Sequence, residues 1–297
     1  MECDMSGAPC PILSVVVCTR NRLSKLHRCV EALRSVTTAR DWELVIVDNG
    51  STDGTSKYLA SIDHTRLNRA QVTTVCEPRR ALAAARNTGW RIARGDIVAF
   101  TDDDCYVSRD YVDAVIQVFE DDPHLGFVGG RILLFDASDY RITIQESPDR
   151  REFRPRTFIA TGVVQGANLA FRRTALAQIG GFDEHLGAGT PFPCEDIDAA
   201  AAVLWSGVAG VYDPRPVVFH HHGRRTEHEA QALMRIYDTG RGAYYAKYIL
   251  RSASRSVYTR AWLRNIRNDC VEAIRGGRVP RRSLRELSTG LRYALQR

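Results

Sequence analysis

Residues 96–105 read DIVAFTDDDC, an apolar run that delivers three consecutive carboxylates, Asp102, Asp103 and Asp104, to the point where a strand should end. Adjacent carboxylates repel one another, so the cluster is costly unless it is solvated, caps a helix or is neutralised by a cation. The same grammar repeats on the N-terminal side. ILSVVVC precedes RLSKLHRCVEALRSV, ELVIVD precedes GTSKYLASI, and QVTTVCE precedes ALAAARNTGWRIA; DIVAFTD itself precedes RDYVDAVIQVF. Continuous apolar strands separated by helices predict an open α/β fold, with a mostly parallel sheet covered on both faces.

In such sheets ligands bind beyond the carboxyl ends of the strands. The polar residues expected there form a set: Thr19-Arg20-Asn21-Arg22, then Asp48-Asn49-Gly50-Ser51-Thr52-Asp53-Gly54, then Thr101-Asp102-Asp103-Asp104. Taken alone, NGSTDG serves equally as a loop and helix cap. There is no GxGxxG and no GxxxxGK[ST], which argues against a Rossmann dinucleotide site and a P-loop.

A second block, residues 162–222, has a different texture. Glycines surround a predicted strand, NLAF, and a predicted helix, RRTALAQIG; a GAGTPFP segment then leads to Cys194-Glu195-Asp196 and the helix IDAAAAVLWSG. Between the blocks, FDASDYRITIQESPDRREFRPR is polar and irregular, suited to a surface loop.

The ordered set VVVCTRNR, ELVIVDNGSTDGT, AAARNTGWRIARGDIVAFTDDD, GANLAFRR, GGFDEHLGAGTPFPCEDIDAA and YDPRPVVFHHH resembles glycosyltransferase family 2, including its bacterial rhamnosyltransferase-like members. The resemblance spans residues 12–222. It implies the GT-A fold: an open sheet in which a Rossmann-like nucleotide-sugar and metal half, 12–135, is fused to an acceptor half, 136–223. Residues 1–11 then form a tail and 224–297 a basic helical extension. The implied activity is inverting transfer of a sugar from a UDP-, dTDP- or GDP-linked donor to an acceptor hydroxyl on a glycan, a lipid-linked molecule or a small molecule. Surface-glycan or secondary-metabolite glycan assembly is the implied setting.

The same resemblance assigns residues. Asp102 and Asp104 fall on the family's DxD motif, with Asp104 a direct ligand of a divalent cation, Mn²⁺ or Mg²⁺, and Asp102 near the ribose or the metal's water. Such hard cations suit carboxylate and diphosphate oxygens, and stabilise a departing diphosphate. Asp103, between them, is an expected substrate contact. Thr19 and Asp48 fall on positions that hold base and ribose, while Arg22 and Arg86 lie near the nucleotide; Arg86 reads equally as a charge on an Ala-rich helix, and Asp53 as a cap of the next helix. Asp196, in the family's ED motif, is the expected general base, and Glu195 the expected acceptor contact; acidic residues at a helix start also stabilise it without catalysis. His220 and His222 are the candidate histidine ligands.

Two readings from other classes fit the α/β pattern: a sugar-phosphate nucleotidyltransferase, and a catalytically silent nucleotide-sugar-binding scaffold. VVVCTRNR lacks the glycine-rich basic loop of the first, and intact Asp102, Asp104 and Asp196 count against the second.

Charge divides the chain. Residues 224–297 hold 17 Lys and Arg against 6 Asp and Glu, a net charge of +11, which leaves the remainder near −5. Helical spacing recurs in HEAQALMRIYDTGRGAYYAKYILRSA and TRAWLRNIRNDCVEAIRGG, with Tyr244, Tyr248, Trp262, Leu263 and Ile266 expected at buried or interfacial positions. This tail reads as helices packed on the catalytic domain, as an interfacial membrane patch, or as a phosphate-attracting surface. No nucleic-acid module accompanies it, so no nucleic-acid partner is expected. The eight cysteines form no CxxC or paired spacing, no window approaches a membrane span, and the N-terminus carries acidic residues where a secretory signal has basic ones. A cytoplasmic protein with reduced thiols is expected, with membrane contact at most peripheral.

Overall fold

The computed structural model describes residues 10–62, 70–277 and 279–296. The predicted alternation is present from the start: β1 (Leu13–Thr19), α1 (Leu23–Arg34), β2 (Trp42–Asp48), α2 (Thr55–Ser61), β3 (Gln71–Cys76), α3 (Leu82–Ile92) and β4 (Ile97–Asp102). β1, β2 and β4 pair in parallel register with β3 on the outer side, in the order β3-β2-β1-β4. Val15, Val16 and Val17 are each buried, as are Leu44, Val45, Ile46 and Val47, because helices cover both faces. Continuous apolar strands rather than alternating ones follow from that double cover.

Beyond β4 the sheet becomes mixed, where the sequence pattern suggested a mostly parallel one. β5 (Cys105–Val107) and α4 (Tyr111–Asp121) follow the acidic cluster, so a short strand precedes the helix expected from Ser108. β6 (Leu125–Leu134), absent from the sequence reading, crosses the second half of the sheet. β7 (Arg151–Phe153) is a short piece inside the polar connection. β8 (Leu169–Arg172) runs antiparallel between β4 and β6, then α5 (Arg173–Gln178), α6 (Glu195–Trp205) and β9 (Ala209–His220) complete the domain. β9 lies parallel to β6 and antiparallel to β5, giving the order β3-β2-β1-β4-β8-β6-β9-β5.

Three helices close the chain: α7 (Glu227–Leu250), α8 (Arg255–Arg275) and α9 (Arg281–Leu295). α7 begins with a capping box, in which Thr226 and Glu229 satisfy each other's backbone amides. These helices are not appended to a finished domain. Ala243, Tyr244, Tyr245 and Tyr248 of α7, Tyr258 of α8 and Tyr293 of α9 share one apolar cluster with Phe127, Phe171, Leu176 and Ile197 of the sheet and its helices. Gly240 lets α7 press against the Pro193 carbonyl, and Gly242 lets it cross the Glu286 backbone; an added Cβ would collide with backbone at both places. Of the tail residues expected inside, Tyr244 and Tyr248 are fully buried, whereas Leu263 is exposed.

Candidate active site

Parallel register explains why residues far apart in sequence meet. Thr19 lies opposite Asp48, and Cys18 opposite Asp102, so the ends of β1, β2 and β4 form one edge. On the other side, β5 pairs with β9 so that Cys105 faces His220, which brings Asp104 and His220 together.

The three carboxylates offset mutual repulsion by each meeting a cationic side chain, with Arg22 shared by Asp103 and Asp104. Asp102 accepts from Arg86 Nη2 at 3.2 Å and is the most open of the three. Asp103 accepts from Thr19 Oγ1 and Arg22 Nη1, each at 2.7 Å. Asp104 meets Arg22 Nη2 at 2.9 Å through one oxygen and His220 Nε2 at 3.4 Å through the other. Burial pushes the Asp103 carboxyl up to about 6 against the pull of Arg22 and Thr19. Burial opposes ionisation of Asp104 as well, but His220, Arg22 and Lys25 together hold it well below the usual carboxylate range. Asp103 is therefore an internal brace for Thr19 and Arg22, not a group that faces the cavity.

A cavity of about 380 Å³ opens beside this cluster, and its wall includes Asp102, Arg86, Glu195, Asp196 and His220. Arg86, on α3, is almost wholly buried and joins the two acidic motifs: one guanidinium nitrogen holds Asp102 and another holds Glu195 Oε1 at 2.6 Å. Gly166 permits this, since a Cβ there would strike the guanidinium. Burial raises the Glu195 carboxyl although Arg86 draws it the other way. Glu195 thus orients Arg86 through Oε1 while its side chain also forms part of the cavity wall. Asp196, next on α6, accepts the Gly166 amide at 2.8 Å through Oδ2 and the Ile197 amide at 2.7 Å through Oδ1. These bonds fix the carboxylate at the cavity wall and leave further lone pairs on each oxygen.

Asp104, Cys105 and His220 each place a ligand atom within 4.8 Å of the others. Asp104 and His220 suit a divalent cation such as Mn²⁺ or Mg²⁺, whereas the soft sulfur of Cys105 is a poor match for so hard an ion. His220 Nδ1 lies 3.1 Å from the Thr143 carbonyl, which fixes the ring and leaves Nε2 toward Asp104. Burial acts to neutralise His220, but Asp104 more than offsets it and raises the imidazole above its ordinary value. A cation competes with that proton for the same nitrogen. His222 leaves the ligand set. Its Nε2 faces the Tyr140 carbonyl at 2.9 Å and its Nδ1 accepts the Arg224 amide at 3.0 Å, so both ring nitrogens are occupied and the ring anchors the loop at Tyr140.

Thr19, Arg22 and Asp48 lie at the strand edge but do not line the cavity. Asp48 accepts from the Ser51 amide and the Ser56 hydroxyl. Asp53 accepts from the Thr55 amide and hydroxyl and from the Leu23 amide, tying the starts of α1 and α2 together. Sequence reasoning missed the opposite wall, where Met234, Tyr237 and Arg241 reach in from α7. The signal available was Gly240 and Gly242 inside a helical pattern, where glycine is destabilising unless another backbone must come close.

The fold and this cluster define a GT-A type glycosyltransferase framework. Residues 14–180 match the model of glycosyl transferase family 2, and the chain belongs to that family. It is 28% identical over 217 residues to the pre-mycofactocin glycosyltransferase of Mycobacterium tuberculosis, covering 71% of this chain but only 43% of that protein. A shorter segment, 127 residues, is 36% identical to the validoxylamine A glucosyltransferase of Streptomyces hygroscopicus, covering 42% of this chain and 28% of that one. Among solved structures, the mannosyltransferase PcManGT from Pyrobaculum calidifontis, in complex with GDP-Man and Mn²⁺, superposes with a TM-score of 0.65. It is 25% identical and the match covers 96% of this chain and 81% of that one. Staphylococcus aureus TarS 1-349 with UDP-GlcNAc matches in fold, with a TM-score of 0.60 at 16% identity over 83% of this chain and 69% of that one. Among the described residues no helix is long and apolar enough to cross a membrane.

Proposed function

We propose that the chain transfers a glycosyl group from a nucleoside-diphosphate sugar to an acceptor hydroxyl with inversion, and that Asp196 is the general base. The observation that carries this reading is one cavity wall shared by Asp196, Asp102 and His220, with Arg86 bridging the two acidic motifs. The nucleoside lies over the edge formed by Thr19, Asp48 and Asp102, and the sugar projects into the cavity. As the acceptor oxygen bonds to the anomeric carbon, its proton passes to an Asp196 oxygen. The bond from the anomeric carbon to the β-phosphate oxygen breaks on the opposite face, and the nucleoside diphosphate leaves. Asp104 and His220 would hold the cation, Mn²⁺ or Mg²⁺, whose Lewis acidity stabilises the diphosphate charge. Arg86, held by two carboxylates, keeps Asp102 and Glu195 in place as that charge develops. PcManGT, solved with GDP-Man and Mn²⁺, supports a nucleotide-sugar donor and a cation of this kind.

A panel of UDP-, dTDP- and GDP-sugars with Mn²⁺, Mg²⁺ or chelator tests the donor half by thermal shift, since a ligand of the native state raises the melting temperature. A shift selective for one nucleotide and abolished by chelator is expected. Asp196→Asn tests the chemistry: the donor-induced shift persists while transfer falls about 10²–10⁴-fold, and the wild-type product shows the inverted anomeric configuration by NMR. Retained transfer in Asp196→Asn assigns the base elsewhere.

A further inference from the structure

α9 carries two stripes. Ser283, Glu286, Gly290 and Tyr293 face the protein and are buried, with Glu286 accepting from Arg241 of α7 and Trp262 of α8. Leu284, Leu287, Leu291 and Leu295, spaced three, four and four residues apart, form a second stripe that is 54%, 43%, 63% and 79% exposed. Isolated exposed leucines are ordinary on a protein surface, but an aligned row of four along one helix is a contiguous apolar face. α8 repeats the pattern on its outer side, where Leu263, Val271 and Ile274 are exposed among Arg260, Arg264 and Arg267.

We infer that α9, supported by α8, docks the protein on the surface of an anionic lipid bilayer, with the leucine row entering the headgroup boundary and arginines meeting lipid phosphates. Charge selects this occupant. Residues 255–297 hold eleven arginines against three carboxylates. A second copy would bring the same positive face against itself, whereas an anionic bilayer is opposite in sign and accepts an in-plane helix with a leucine row and basic flanks. Docking would also act close to the site, because Glu286 and Arg285 of α9 hold Arg241 and Asp238 of α7, and Arg241 lines the cavity. The bilayer contact does not depend on the proposed chemistry, so binding and donor turnover can fail separately.

The full chain is co-sedimented with vesicles of phosphatidylcholine alone and with vesicles of equal parts phosphatidylcholine and phosphatidylglycerol, at low and high salt. Wild type is expected to bind the anionic vesicles, bind the neutral ones weakly and release as salt rises. The triple variant Leu284→Gln, Leu287→Gln and Leu291→Gln changes only exposed side chains. It should keep the wild-type circular dichroism and donor-induced thermal shift while losing at least about tenfold in vesicle affinity. Arg281→Gln in the wild-type background should weaken only the anionic-vesicle binding, by about fivefold. Absence of wild-type binding, or full binding by the triple variant, overturns the inference. A wild-type dimer in sedimentation velocity that the triple variant converts to monomer also overturns it, because the row would then be a self-association face.

Discussion

The strand edge, which reaches the cavity at Asp102 of β4, and the helical wall at α7 face each other across one site but are placed by different physics. The first is local: a polar residue immediately after an apolar strand lies at the carboxyl edge of the sheet wherever the chain goes next. The second depends on packing, since Tyr237 and Arg241 face the cavity only because Gly240 and Gly242 let α7 lie against Pro193 and α9. The edge is set by the strands themselves, while the wall depends on how α7 packs against α9 and the Pro193 segment. What looks in sequence like a basic extension therefore belongs to the core and to the site.

The largest effect expected from that contrast comes from ending the chain at residue 223. Removing α7 to α9 strips apolar cover from Phe192, Cys194, Ile197 and the sheet behind them. Five buried tyrosines, Tyr244, Tyr245, Tyr248, Tyr258 and Tyr293, are lost with these helices. At roughly 1.5–3 kcal/mol for each large buried side chain this is comparable with the whole stability of an ordinary domain, about 5–15 kcal/mol, so the truncated chain should show no cooperative thermal transition. A cooperative melt with a donor-induced shift would show the edge to be self-sufficient and remove α7 from the site.

A subtler break uses one side chain. Lys247 of α7 reaches Asp198 of α6 at 2.7 Å and Asp183 at 2.8 Å, largely out of water. Lys247→Met removes the ammonium that pairs with the buried Asp198 carboxylate and should cost about 3–5 kcal/mol in urea denaturation. Arg264→Gln, on the solvent side of α8, should stay within about 0.5 kcal/mol. Equal effects from the two would mean that the tail's charges act only as a solvated field.

The difference in legibility has the same origin. β1 to β4 and their helices could be read because their apolar runs are long and their turn residues unambiguous. Asp102, Asp104 and Asp196 stood out as candidates through the family resemblance and because each lies at or beside the end of an element, whereas Arg86 lies inside α3 and was singled out by the resemblance alone. β6 escaped notice because LGFVGGRILL is interrupted by glycines, and its partners, β8 and β9, lie far along the chain. The change from parallel to mixed sheet was hidden for the same reason. The ion pair between Glu195 and Arg86 was not legible in the sequence, because 109 residues separate the two. No pattern in FHHH distinguishes three successive histidines; their roles follow from which loop each meets.

That last point yields the smallest and sharpest contrast. His220 and His222 point to the same side of an extended chain, and their rings lie 5.3 Å apart. Yet His220 keeps Nε2 toward Asp104, while His222 has both nitrogens engaged by backbone at Tyr140 and Arg224. His220→Gln should therefore weaken Mn²⁺ affinity by about 10–100-fold, read by calorimetry with the nucleoside diphosphate present. His222→Gln should leave that affinity unchanged and instead lower stability by about 1–3 kcal/mol, through buried backbone groups left without partners. If the two variants lose Mn²⁺ equally, the ligand set extends past His220, and the loop at Tyr140 belongs to the metal site rather than to its support.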